Sequence, residues 1–294
     1  MRPAVIIVAT LLLNATLFVV NASVAAVSGS RAVLAEAIFT ITDLVGSGLL
    51  LWGLHVSRRP ASHEYPFGRG KERFFWAFVS IVVTFTVAGV LTLGEGFEQI
   101  VTPGTVTHLP ESLLVVGATM AVSLASIWVT LRELRLSRLT LLSLLESANQ
   151  GLKSIFYQDL LTIVGSVVAL AGLGAVYRTG SAVPDGISAL IQGLLLVSMG
   201  FVLTAESREY LVGRALAPED ARAMLAVVER NPSVAKVRSL QSMLLGPDDA
   251  LLALKINFQD GMTTDQLESA IDQVTEALRG AYPLLKHIVI EPES

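Results

Sequence analysis

The sequence predicts an α-helical integral membrane protein, a six-helix transmembrane bundle followed by a soluble α+β domain. Three observations carry that reading. Of 294 residues, 52% are hydrophobic and only 16% are charged, against about 25% charged in soluble domains. The apolar residues gather into stretches that each come close to the roughly 20 residues a spanning helix needs. After Ala205 the composition changes, and alternating and helical periods replace the apolar runs.

The apolar stretches lie near 4–27, 32–56, 74–97, 113–131, 152–176 and 187–204, which gives a transmembrane domain over residues 1–205. The first opens on Met1-Arg2 and holds small residues at Ala22–Ala26, as a secretory leader would. Its apolar run is long for a leader, and cleavage would leave an odd number of spans, so it reads as a retained helix. The link after the second segment carries Arg58, Arg59, Arg69, Lys71 and Arg73, and the link after the fourth carries Arg132, Arg135, Arg138 and Lys153. The alternate links hold only Arg31 and Arg178. Positive-inside bias therefore places the basic links, both termini and the tail in the cytoplasm. The basic residues of the first link are expected to face anionic headgroups or the tail, and Phe74, Phe75 and Trp76 to join an interfacial aromatic belt.

Residues 206–294 form the second domain. Pro218-Glu219-Asp220 opens a helix, with proline in the first turn and acids at the positive end of the dipole. Ala221, Leu225 and Val228 repeat at helical spacing until Asn231-Pro232. A strand over Val234–Leu245 leads to the turn cluster Gly246-Pro247-Asp248-Asp249. Leu252, Leu254, Ile256 and Phe258 alternate with Lys255 and Asn257, the pattern of a half-buried strand. Thr263 and Gln266 fit a capping box, Leu267, Ile271, Val274 and Leu278 mark one helix face, and a last short strand covers His287–Glu291. A small sheet with helices on one face suits docking to a second copy, so this domain is expected to dimerise.

Composition excludes several chemistries. A net charge of −4 argues against nucleic acid as the partner. The absence of cysteine rules out disulfides, thiolate metal sites and cysteine catalysis. None of the four histidines, His55, His63, His108 and His287, lies centrally in an apolar segment. Gly68, Gly70 and Lys71 lack the strand–turn–helix setting of a phosphate loop. No nucleophile and base are spaced as in known hydrolases, and the chain is not expected to be an enzyme.

Two bare carboxylates, Asp43 and Asp159, lie inside apolar segments. Each costs about 2.5–3.5 kcal/mol at bilayer depth on insertion scales, and no Lys or Arg stands at similar depth to offset it. A proton or a bound cation can. Glu36, Thr40, Asp43 and Ser47 share one face of the second segment, Asp159, Thr162 and Ser166 one face of the fifth, and Asn14 and Asn21 stand seven apart on the first. Polar stripes on three helices imply a wet cavity between them. The hydroxyls and Asn side chains serve equally as interhelical glue. Asp43 and Asp159 are the primary metal-ligand candidates, and Glu36 is a third that solvation at its helix end would equally explain. Neighbouring buried carboxylates favour holding protons, and such a pair would release them when a divalent cation arrives.

At these residues the chain resembles the cation diffusion facilitator family. The resemblance is carried by Ser28–Ile38 before Asp43, by Pro66–Trp76 after the second segment, by Pro184-Asp185-Gly186 opening the sixth, and by the tail from Glu206. It covers essentially the whole chain and is closest to a bacterial branch with a Phe-Trp pair at Phe75-Trp76. It implies six helices, a cytoplasmic ferredoxin-like tail, a homodimer in a bacterial inner membrane, and efflux of zinc or a related ion in exchange for protons. The family places a His or Asp four residues before each intramembrane Asp, and here those positions are Phe39 and Ile155. Tyr65 and Arg69 stand where the family's loop histidines fall, with His63 displaced, and His287 is alone in the tail. Zinc prefers nitrogen and sulfur, whereas a site of Asp43 and Asp159, with Glu36 as a third candidate, and hydroxyls offers only oxygen, which suits magnesium or manganese. Zinc, cobalt and iron stay within reach of such a site. The alternative is a non-transporting scaffold or heterodimer subunit of the same fold with a degenerate metal site.

Overall fold

A computed structural model of the protein describes residues 3–136 and 150–293, with side chains described for 14–132 and 156–293. Arg135, Arg138, Lys153 and Ile155, which entered the sequence reading, have side chains outside the described set. The chain divides into two compact units, one of Met1–Trp52 with Trp76–Ser207, the other of Gly53–Phe75 with Arg208–Ser294. The first basic link clusters with the tail in the second unit.

The first unit is helical. Its elements are α1 (Pro3–Ser28), α2 (Arg31–Ser57), α3 (Glu72–Ile81), a π-helical turn (Val82–Val87), α4 (Ala88–Val101), α5 (Leu109–Leu136), α6 (Gln150–Thr179) and α7 (Val183–Val212). Helices α3 and α4 with the π turn make one continuous span. Among the described residues, five helical segments are long and apolar enough to cross a membrane. Helix α1 contributes the shorter apolar stretch Asn14–Ser28. Helix α2 lies between two apolar clusters. Its Ala32 and Val33 pack with Ala25, Val115, Ala169 and Leu173. Its Phe39 packs with Ile81, Phe85, Leu196 and Leu203.

Two close approaches fix this packing. A Cβ at Gly46 of α2 would stand 2.2 Å from Thr84 Oγ1 and 2.8 Å from Ser80 Oγ, so the missing side chain lets the third span close on α2 three residues from Asp43. Thr84 lies in the π turn, and its hydroxyl donates to the Thr42 carbonyl at 3.3 Å. Helices α4 and α7 meet along glycines. A Cβ at Gly193 would stand 2.8 Å from Leu93 N and 2.9 Å from Gly89 O, and one at Gly96 would stand 2.7 Å from Leu190 N and 2.8 Å from Gly186 O. Small residues at seven-residue spacing permit such main-chain contact between membrane helices.

The second unit follows the expected order: α8 (Pro218–Val228), β1 (Val234–Gly246), β2 (Asp249–Phe258), α9 (Thr264–Ala281) and β3 (Leu285–Pro292). Strand β1 pairs antiparallel with β2 across the Pro247-Asp248 turn. Strand β3 pairs parallel with β2, which a helical crossover such as α9 makes possible. Alternate residues of β2, Ala250 to Phe258, are buried as the pattern requires. The Thr263–Gln266 capping box forms both of its bonds.

Within this unit the first link seats on the sheet. Arg73 pairs with Asp248 at 3.0 Å, Lys71 Nζ lies 3.7 Å from Met243 Sδ, and the Phe67 ring meets His287 edge-on at 5.2 Å. Gly70 is required there, because a Cβ would come within 2.5 Å of the Leu245 carbonyl oxygen. The aromatic-belt expectation fails for Phe74, which is buried against Tyr210 with ring centroids 5.1 Å apart. Packing against an aromatic partner wins over the interface, while Phe75 stays exposed.

Candidate metal site

Asp43 and Asp159 come from α2 and α6, and their charges act on one another. Each is half-buried and each is held by one neutral donor from a neighbouring helix. Asn14 Nδ2 of α1 donates to Asp43 Oδ2 at 2.9 Å. The Ser126 hydroxyl of α5 donates to Asp159 Oδ2 at 2.5 Å. Asp43 Oδ1 is buried with no hydrogen-bond partner among the described residues. A buried oxygen left without a donor is costly, and it is the position a cation or proton would fill. No described basic group pairs with either acid. The two pairs, Asn14 with Asp43 and Ser126 with Asp159, draw on four helices and offer oxygen donors together with one amide N–H.

A second polar level lies one pair of helical turns away. Helices α2 and α6 run antiparallel, so seven residues back from Asp43 and seven forward from Asp159 bring Glu36 and Ser166 together. The Ser166 hydroxyl donates to Glu36 Oε1 at 3.1 Å. At 1.5 Å rise per residue the two levels stand about 10 Å apart along α2. Phe39 lies between them, buried against Phe85 with ring centroids 6.3 Å apart. Among the described residues no three His, Asp or Glu side chains gather as a metal would need, so Glu36 is not brought together with the pair. It lines instead a cavity of about 20 Å³ with Phe39, Thr162, Gly165 and Gln192.

The other polar residues of the stripes divide between partners. Thr40 and Thr162 turn back on their own helices, to the carbonyls of Glu36 at 2.7 Å and Gln158 at 3.0 Å. Asn21 pairs with Thr119 of α5 at 3.4 Å. Sequence reasoning missed Ser126, a lone hydroxyl in an apolar helix with no periodic signal. It also missed Gln192, and the role of Asp185.

Asp185 opens α7 and is fully buried. It caps α2 from another helix. Its Oδ1 accepts the Ser30 hydroxyl at 2.7 Å, and its Oδ2 accepts the Arg31 N–H at 2.6 Å. The Ala32 N–H also points to this carboxylate, at 3.3 Å. These are N–H groups that a helix start leaves without partners, and the carboxylate sits at the positive end of the dipole. The helix that carries Glu36 and Asp43 is thereby tied to the start of α7.

Residues 7–212 match the family model described as the cation efflux transmembrane domain. The chain is 25% identical over 240 residues to metal tolerance protein C4 of Arabidopsis thaliana, covering 80% of this chain and 52% of that protein. It is 23% identical over 274 residues to the human mitochondrial proton-coupled zinc antiporter SLC30A9, covering 88% and 48%. It is 23% identical over 258 residues to the cation-efflux pump FieF of Klebsiella pneumoniae, covering 87% and 81%. The chain spans about half the length of the first two.

Proposed function

The chain belongs to the cation efflux family, whose transmembrane model covers residues 7–212, and from that premise we propose that it exports a divalent metal cation from the cytoplasm in exchange for protons. The observation that carries this reading is the Asp43–Asp159 pair: two mutually repelling carboxylates on different membrane helices, each supported by a neutral donor alone. A divalent cation between two carboxylates leaves the site neutral, and two protons do the same. Both loaded forms avoid the cost of net charge in a low-dielectric medium, while the bare pair does not. Exchange follows because the two occupants compete for the same oxygens.

Asn14 and Ser126 fix the orientation of the ligating carboxylates, as partners behind metal ligands do elsewhere. With Phe39 four residues before Asp43, the family's nitrogen-bearing position offers no ligand. The donor set is therefore oxygen, which favours manganese or magnesium, with zinc, cobalt and iron in the range to be tested. The excess of Lys and Arg on alternate links supports cytoplasmic termini in a bacterial inner membrane. The helix–strand–strand–helix–strand tail supports a ferredoxin-like domain that joins two copies.

The test is uptake into proteoliposomes with a pH indicator inside, screening manganese, magnesium, zinc, cobalt and iron. At least one ion should enter with opposite movement of protons, and Asp43→Ala and Asp159→Ala should reduce its flux to background. Flux in the wild type no greater than in both variants would overturn the reading and leave a non-transporting scaffold.

A further inference from the structure

We propose that Glu36, Gln192 and one ordered water between them form a proton-carrying station separate from the metal pair. This inference rests on the proton-exchange reading above and adds a second proton site to the carboxylates of the metal pair.

The cavity decides what can bind. It is a partly open crevice between α2, α6 and α7 whose inner room measures about 20 Å³, enough for a single water, which needs about 10–15 Å³. Magnesium or manganese keeps several waters in a near-octahedral shell, and that shell does not fit. Its polar lining matches a water. Glu36 is only 3% exposed, and one hydrogen bond, from Ser166 to Oε1, leaves acceptor sites over. Gln192 is only 6% exposed, and its Nε2 has no hydrogen-bond partner among the described residues. A buried amide donor seldom goes unmet. A water that accepts from Gln192 Nε2 and donates to Glu36 satisfies both groups, and the Thr162 oxygen offers it a second acceptor.

Such a trio handles protons and not metal. An incoming proton is relayed by the water, which gains one O–H as it gives another to the Glu36 carboxylate, and the reverse relay restores the carboxylate. No bond other than O–H forms or breaks. Phe39 stands between this station and Asp43 and lines the cavity from below, so the metal pair and the proton station occupy separate compartments about 10 Å apart.

Other charged groups on the surrounding elements lie elsewhere. On α2 they are Arg31, five residues before and paired with Glu95 and Glu98, and Asp43, seven residues on, and on α6 the nearest is Asp159, seven residues before Ser166. On α7 Asp185 is seven residues before Gln192 and is engaged by Ser30, Arg31 and Ala32. The third span meets Phe39 through Ile81 and Phe85, and its charges, Glu72, Arg73, Glu95 and Glu98, lie toward its two ends. None lines the cavity.

The experiment uses the full chain with Glu36→Gln, Gln192→Leu and Asp43→Asn, and manganese as the probe. Equilibrium binding is measured in detergent, and manganese entry under an imposed pH gradient is measured in proteoliposomes. Infrared spectra without metal follow the carboxyl carbonyl band of protonated buried acids through a pH titration. Glu36→Gln should keep wild-type manganese affinity, weaken the response of flux to the pH gradient to what the Asp43–Asp159 pair alone carries, and lose one carboxyl band. Gln192→Leu should shift that same band without changing affinity. Asp43→Asn should weaken binding at least about tenfold and retain the Glu36 band. Loss of affinity in Glu36→Gln equal to that in Asp43→Asn would make Glu36 a metal ligand and overturn the proposal, as would an unchanged infrared titration. A wild type that neither binds nor moves any screened ion would sink the exchange reading alone, since the infrared arm still decides whether Glu36 carries a proton.

Discussion

Replacing Asp185 with asparagine removes one charge and almost no volume, so its effect isolates the cap that α7 supplies to α2. The wild-type carboxylate accepts the Ser30 hydroxyl on one oxygen and the Arg31 N–H on the other, with Ala32 in reach. An amide has one accepting oxygen. Whichever way it is turned, its NH₂ faces either the Ser30 hydroxyl or the Arg31 N–H. The hydroxyl can rotate and accept, so the best arrangement keeps the Arg31 bond and weakens it from charged to neutral. Hydrogen bonds to a charged group contribute about 1.5–3 kcal/mol and neutral ones about 0.5–1.5. The two strong bonds together then lose roughly 2 kcal/mol. Asp185→Ala leaves the donors with no acceptor and should cost more, about 3–5 kcal/mol, as when one partner of a buried charged network is removed. Tryptophan fluorescence during denaturant unfolding in detergent, with both variants against wild type, measures the difference. Equal midpoints for all three would refute the reasoning, because they would mean that α2 starts without help from α7.

Gly193→Leu should destabilise the transmembrane unit by about 3 kcal/mol or more, since the new side chain meets the Leu93 main chain at 2.8 Å as well as its side chain; thermal unfolding of the detergent-solubilised chain tests this, and Gly94→Leu, where a Cβ meets nothing, is the control. Phe39→His restores a nitrogen ligand one helical turn from Asp43 and should tighten zinc relative to manganese, read by competition binding, because imidazole suits zinc. In the tail, burial raises the Asp249 carboxyl above its ordinary value, against the pull of Lys286 and His287. A folded-state value above the unfolded one means stability that is present below the ordinary carboxylate range and lost as pH rises through the folded value. Asp249→Asn should therefore gain on wild type in melting temperature between about pH 4 and about pH 7, and a gap that shrinks over that range would contradict the burial.

Much of this was legible from residues in order, because local patterns report local structure. The alternation of Leu252, Leu254, Ile256 and Phe258 gives β2 its buried face directly. The isolation of Asp43 and Asp159 in apolar runs marks them without any contact being known. What the sequence conceals is pairing between distant segments. Ser126 and Asp159 are 33 positions apart and Ser30 and Asp185 are 155 apart, so no period or spacing links them. Glu36 shares a helix face with Asp43, which made it a candidate for the same site. The intervening Phe39 separates the two, and only the packing of Ile81 and Phe85 on that ring reveals it. The π turn at Val82–Val87 has no proline or glycine to announce it, and the seat of the basic link on β1 depends on Gly70 meeting Leu245.

The glycine seam between α4 and α7 has a mechanical consequence. Side chains between helices act as a cushion that can repack as the helices slide, but a main-chain contact has no such give. The two helices therefore form a stiff slab, and the slab grips α2 in two places, at its first turn through Asp185 and beside Asp43 through Thr84. A displacement of α7 is delivered to both ends of the stretch that carries Glu36 and Asp43. The acids of α2 are thus held from two points of one slab, while Asp159, borne by α6, takes its hydrogen bond from α5.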